Sequence, residues 1–184
     1  MAAPIKAPSR AALHEAAIAH LARYAATRAG LTRVLDRRVE RWARAVPDDP
    51  DAVAAAKQAV RDVVAALTAS GVLDDAGFAA SRARSLIRAG RSRMAVAAHL
   101  AARGVDPAIR EALPDDAETE LAAALVLVRR RRFGAFRAAP ADEARLKREF
   151  GVLARAGFSQ EIASRALRMD VAEAETRVHR LRRE

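Results

Sequence analysis

The 184-residue chain contains no cysteine, which excludes disulfides, thiolate metal sites and a cysteine nucleophile. Lysine is nearly absent too, occurring only at Lys6, Lys57 and Lys147. Aromatic residues make up 4% of the chain, so thin helical layers are easier to fill than one thick core. No apolar run approaches the ~18 residues that a bilayer span needs, and no membrane association is expected. The first ten residues carry Pro4 and Pro8 but no apolar segment. That stretch reads as a flexible tail over 1–10 rather than a signal peptide, with the cytoplasm as the default address. Strand signals are missing as well: there are no β-branched or aromatic runs and no Asn-Gly or Asp-Gly hairpin turns.

What is abundant is alanine, about a quarter of all residues, and arginine. Alanine favours helix and buries little area. Lys and Arg total 33 against 23 acids, for a net charge of +10. That excess favours a polyanionic or acidic-faced partner. Arginine grips phosphates and carboxylates with a two-pronged fork that lysine lacks.

Helical periodicity runs through the chain. A first helix is expected from Ala11 to Arg28, with Leu13, Ala17, Leu21 and Tyr24 on one face and Gly30 closing it. A second begins near Leu31 and carries the apolar stripe Leu31, Val34, Leu35, Val39, Trp42 and Val46. The segment Pro47-Asp48-Asp49-Pro50 breaks it, and Asp49 caps a third helix that stops at Gly71. Asp74-Asp75 reads as a helix cap, followed by a helix ending at Gly90. Ser92 caps a short helix ending at Gly104, and Asp106-Pro107 starts another. Asp115 or Asp116 opens a helix running into Arg129–Arg132. After a break at 133–136, a helix from Pro140 to Ala156 is expected to turn Leu146, Phe150 and Leu153 inward. Ser159 and Asp170 start the last two, the latter with Glu173 as a capping box on a helix that carries Val171, Val178 and Leu181.

An internal echo groups these helices in threes. Leu100…Gly104-Val105…Ile109 repeats at the same separations as Leu153…Gly157-Phe158…Ile162, and Leu35 and Arg38 stand where Leu100 and Arg103 do. The first copy lacks the glycine. The fold class expected is all-α, with tandem three-helix modules at 11–70, 71–114 and 115–184 stacked into an elongated, curved body. One irregular helical bundle is the competing architecture.

Catalysis finds little support. His14, His20, His99 and His179 form no His-x-x-x-His pair, and neither a phosphate-binding Walker loop nor a nucleophile elbow occurs. The expectation is a binding protein, not an enzyme, with no cofactor and no metal. The arginines are more informative. From Ala76 to Val105 there is no acid, while Arg82, Arg84, Arg88, Arg91, Arg93 and Arg103 all occur. A second acid-free window holds Arg129, Arg130, Arg131, Arg132 and Arg137, and a third holds Arg177, Arg180, Arg182 and Arg183. These first two windows are the candidate sites for a partner or nucleic acid. By contrast Arg37, Arg38, Arg41 and Arg44 have Asp36 and Glu40 among them, and read as a solvated face with i,i+4 pairs. Aromatics are interleaved only at Phe133 and Phe136, so backbone contact with DNA or contact with an acidic protein fits better than base stacking.

The order and spacing of several phrases resemble the RecX family of recombinase regulators. They are the Leu13…Tyr24 opening helix, Leu73-Asp74-Asp75-x-x-Phe78, Leu100-x-x-Arg103-Gly104-Val105 and Ala156-Gly157-Phe158-Ser159-x-x-Ile162. The resemblance covers most of residues 11–168. Gly77, Ala156 and the proline-containing segment 47–51 depart from the family pattern. The resemblance implies a curved stack of three-helix modules that binds the RecA recombinase and its filament in DNA repair. It also implies inhibition of filament growth, strand exchange and RecA-dependent ATP hydrolysis without chemistry of its own. The RecA filament is then the expected partner, with the single- or double-stranded DNA backbone as a second contact and a monomer as the expected state. The alternatives are a helix-turn-helix transcription regulator and a basic protein adaptor without DNA contact.

Overall fold

The computed structural model describes residues 6–46 and 49–183. Within them lie ten α-helices and no strand. They are α1 (Arg10–Leu21), α2 (Arg28–Ala43), α3 (Pro50–Ala69), α4 (Asp75–Arg88), α5 (Arg93–Ala102), α6 (Pro107–Glu111), α7 (Ala117–Arg131), α8 (Glu143–Arg155), α9 (Gln160–Arg168) and α10 (Val171–Arg183). A 3-10 turn, Gly134–Phe136, separates α7 from α8. Residues 1–5 of the tail expected over 1–10 lie outside the described residues, as do Pro47 and Asp48; the tail reading stops short of Ser9, which caps α1 by accepting the Ala12 N–H, and of Arg10, which begins it.

The starts are set locally. Thr27, Asp49, Asp116, Asp142 and Ser159 each accept a backbone N–H from the first turn of the following helix. This satisfies donors that a helix start otherwise leaves bare. Asp170 does the same for Ala172 and Glu173, but the Glu173 carboxylate bonds Arg177, so half of the expected capping box is present.

Several sequence-based boundaries shift. α1 ends at Leu21, not Arg28, and Tyr24 is 61% exposed beyond it. The reason is Thr27. Its hydroxyl accepts the Gly30 N–H and starts α2 at Arg28, so Gly30 lies in a first turn instead of closing the preceding helix. α8 begins at Glu143 on its Asp142 cap, later than Pro140. Leu146, expected inside, is exposed. On α8 it is Glu149 that is buried.

The chain divides into two compact units. The first comprises described residues up to 78 together with 103–109, and the second residues 79–102 and 110–184. Neither coincides with the segment 71–114: α4 and α6 contribute to both. The first unit is built on α1, α2 and α3, which bury Leu13, Leu31, Leu35, Val39, Val60, Val63 and Leu67 in one cluster. In the second unit every residue of α7 from Leu121 to Val128 is buried. The sequence periodicity marks only Leu121, Leu125 and Val128, yet α7 is enclosed on all sides, with α9 and α10 packed on it and α8 on α9. Each fully buried leucine contributes roughly 1.5–3 kcal/mol, so these few large side chains outweigh the many alanines.

Asp74 and Asp75 divide the capping work. Asp74 accepts the Gly77 N–H and caps its own helix. Asp75 is buried, accepts the Arg28 N–H at 2.8 Å and pairs with Arg28 Nε at 3.2 Å, so it caps α2 from a distance in sequence. Replacing Asp75 with alanine is expected to cost about 1–2 kcal/mol, and the same change at Asp74 about 1 kcal/mol or less. Urea denaturation followed by circular dichroism distinguishes them; an equal effect at both positions would refute the reach of Asp75 to α2.

Two helix starts are seated in the same way. The Thr27 hydroxyl, capping α2, donates to the Arg103 carbonyl oxygen at 2.7 Å in the turn after α5. The next residue, Gly104 (φ +77°), lies so near Ala29 that a Cβ would overlap the alanine methyl. The Ser92 hydroxyl, capping α5 through the Ala95 N–H, donates to the Ala156 carbonyl oxygen at 2.6 Å in the turn after α8. There Gly157 (φ +90°) makes room for Ser92 and Met94. Thr27 and Ser92 precede Leu35 and Leu100 by equal intervals, and both turns carry the echoed glycine. The internal repeat thus encodes a repeated seat: a hydroxyl cap on one helix against a carbonyl and glycine on a later turn.

Candidate partner-binding surfaces

The arginines of the two acid-free windows meet different fates. Arg137 is the most occupied. Its Nε lies 2.9 Å from both Glu149 oxygens and its Nη2 2.6 Å from one of them, and the side chain is 16% exposed. It is an internal ion pair, unavailable to a partner. Arg93 donates its backbone N–H to the Glu120 carboxylate at 2.9 Å, and its guanidinium pairs with Asp115. Burial pushes the Glu120 carboxyl up, against the pull of Arg93. Arg129 Nε is 3.8 Å from Glu175, while its Nη1 is buried with no hydrogen-bond partner among the described residues. Arg82 Nε donates to His99 Nε2 at 3.1 Å and ties α4 to α5.

Arg84, Arg88, Arg91, Arg130, Arg131 and Arg132 have no ion-pair partner among the described residues. All are exposed except Arg88, which is half-buried. Gly90 (φ +77°), in the turn after α4, packs on α7. A Cβ there would lie 3.0 Å from Val126 Cγ1 and 3.2 Å from the Ala123 carbonyl oxygen. Arg130 follows Val126 by one turn, about 5.4 Å along α7. The turn after the first window therefore packs on the helix that ends in the second window. Arg103 is also exposed, but it belongs to the first unit.

The third window acquires acids from elsewhere. Arg177 pairs with Glu118 of α7 and with Glu173, and Arg165 also reaches Glu118 at 2.8 Å. The Arg165 and Arg177 guanidinium groups hold the Glu118 carboxyl below its ordinary value.

α2 reverses the expectation of a neutralised face. Arg33, Arg37, Arg38, Arg41 and Arg44 are exposed, and none forms an ion pair with Asp36 or Glu40. Arg41 Nε turns instead toward the Arg37 carbonyl oxygen at 3.4 Å, and Arg44, the residue best placed to meet Glu40, has become the C-cap. Pairing by spacing alone missed this: the backbone N–H of Arg44 reaches the Glu40 carbonyl oxygen at 3.1 Å, but the two side chains form no ion pair. Among the described residues no cluster of three or more His, Asp or Glu side chains could hold a metal ion, and no helix is long and apolar enough to cross a membrane.

Comparison with known proteins gives consistent matches. Residues 74–113 match the family described as RecX, second three-helix domain. The chain is 37% identical to the regulatory protein RecX of Myxococcus xanthus (strain DK1622), over 84% of this chain and 83% of that protein. It is 33% identical to the regulatory protein RecX of Halorhodospira halophila over 82% of this chain and 83% of the relative. A third relative of the same name, from Agrobacterium fabrum, is 37% identical over 56% of this chain and 55% of that protein.

Proposed function

Because the chain belongs to the RecX family of regulatory proteins, we propose that it binds the RecA recombinase and its nucleoprotein filament. Its effect is mainly inhibitory, on strand exchange and on RecA-dependent ATP hydrolysis. The observation that carries this reading is the relationship itself, which runs over 84% of the chain to a protein named as a regulator. The role is that of a binding protein in the cytoplasm, acting as a monomer without chemistry of its own.

The arginine layout supplies a mechanism. Arg84, Arg88 and Arg91, like Arg130, Arg131 and Arg132, lie in the second unit, none with an acid of its own. Such guanidinium groups meet carboxylates of a recombinase filament without first breaking internal pairs, which lowers the desolvation cost of docking. The seat repeated at Thr27–Arg103 and Ser92–Ala156 supports modules at 11–70, 71–114 and 115–184 arranged in tandem. Tandem modules can engage several filament subunits, and several weak contacts carried by one chain gain from effective concentration.

The test is RecA ATPase activity on single-stranded DNA with the protein titrated in. Wild-type protein is expected to depress the rate. The Arg84→Glu/Arg88→Glu variant is expected to require on the order of tenfold more protein for the same effect, about 1.4 kcal/mol of docking energy. No effect of wild-type protein at a stoichiometric ratio sinks the reading. Full inhibition by the folded double variant removes this ridge from it.

A further inference from the structure

We propose that the outward face of α2, in the first unit, is a separate binding site for the phosphodiester backbone of a nucleic acid. The core direction of α2 is set by Leu31, Leu35 and Val39, all fully buried. On a helical wheel Arg33, Arg37, Arg41 and Arg44 fall on the opposite side. All four are exposed and none has an ion-pair partner among the described residues. Arg37, Arg41 and Arg44 line a shallow groove with Val34 and Glu40. At 1.5 Å per residue the stripe from Arg33 to Arg44 is about 16 Å long, a length over which duplex DNA presents about ten phosphate charges. Guanidinium forks at one-turn intervals suit such a ladder of anions, each able to grip two phosphate oxygens.

A protein partner fits this face less well. Protein interfaces draw their energy from buried aromatic and aliphatic anchors within a polar rim. The large hydrophobic residues exposed among the described residues are Ile18, Tyr24, Val72, Met94, Leu146 and Val171, and none lies on α2. The one aromatic of α2, Trp42, packs against the core of the first unit. With no exposed ring on α2 to stack on bases, the contact is with the backbone, is indifferent to sequence and accepts duplex as well as single strand. Asp36 and Glu40 are too few to neutralise the arginines beside them.

Fluorescence anisotropy of the full chain with labelled duplex and labelled single-stranded oligonucleotides, in the absence of any recombinase, tests the site. Wild-type protein is expected to bind both, with log affinity falling linearly with log salt. The Arg37→Ala/Arg41→Ala/Arg44→Ala variant is expected to bind at least about tenfold more weakly and to lose roughly 2–3 units of salt slope. The corresponding triple lysine variant keeps the charges and is expected to retain the slope while losing affinity. Because the substituted side chains are exposed, helical circular dichroism is expected to be unchanged. An unaltered slope in the folded alanine variant overturns the proposal. So does failure of wild-type protein to bind either oligonucleotide at low salt, which would leave α2 to an acidic protein. The assay contains no recombinase, so its outcome is independent of the ATPase result.

Discussion

Glu149→Ala is expected to destabilise the protein by about 3–5 kcal/mol, the range for stranding a buried charge. The Glu149 side chain is 2% exposed and holds the Arg137 guanidinium through both carboxylate oxygens. Arg145 Nε approaches at 3.3 Å, and the Gly134 N–H donates at 3.3 Å. The carboxylate therefore ties α8 to the 3-10 turn. That turn lies against α9, because a Cβ on Gly134 would come within 3.1 Å of the Leu167 backbone. Removing the carboxylate leaves Arg137 partly buried and without its ion-pair partner. A chain of this length loses roughly 2–4 °C of melting temperature per kcal/mol, so a drop on the order of 10 °C is expected in a thermal melt. The Arg137→Leu/Glu149→Leu double variant removes both charges and is expected to be more stable than Glu149→Ala alone.

The pair also sets a pH dependence. Burial by itself raises the Glu149 carboxyl, but the Arg137 guanidinium, the Gly134 N–H and Arg145 together outweigh it and hold the group below its ordinary value. A carboxyl depressed in the folded state stabilises above its unfolded pKa and loses that contribution as the pH falls through the folded value. Wild-type stability is thus expected to decline on acidification from the ordinary glutamate range downward. Glu149→Gln should start lower and decline less over the same interval. Parallel curves for the two proteins would dismiss Glu149 as the titrating group.

Substitutions at the seat glycines carry the next largest effect. Gly157→Ala places a methyl 2.6 Å from Met94 Cε and 2.7 Å from Ser92 Oγ, at φ +90°. The left-handed backbone costs an alanine about 1–2 kcal/mol, and the overlap about 1–3 kcal/mol more. The sum, roughly 2–5 kcal/mol, is expected in urea unfolding, and Gly104→Ala, facing Ala29, should behave alike. Gly71 is the control: its φ is +74°, but a Cβ there has nothing within 4 Å. Gly71→Ala should cost only the backbone share. Equal losses at Gly71 and Gly157 would mean that the turn conformation matters and the seat does not.

The fate of individual arginines shows where sequence reasoning stops. The acid-free window around Arg93 is real along the chain, yet Asp115 and Glu120 reach it from beyond α5. Arg137 looks like part of a basic run and is an internal counter-ion to Glu149 on α8. In α2 the opposite happens, since nearby acids suggest pairing and none forms. Leu146 was placed inward by periodicity and is exposed, because a helix packed on few neighbours buries a narrower stripe than its apolar residues define.

By itself the sequence determined the all-helical class, most helix starts and stops, the arginine excess and the spacing of the echoed glycines. Each depends on interactions reaching three or four residues, between a cap and its N–H groups or a glycine and its own φ. Only the tertiary structure decided that those glycines seat a later turn against an earlier helix, that α7 is enclosed on every side, and which guanidinium groups stay free. Charge pairing and burial depend on distances between helices far apart in the chain, and local spacing carries no record of them.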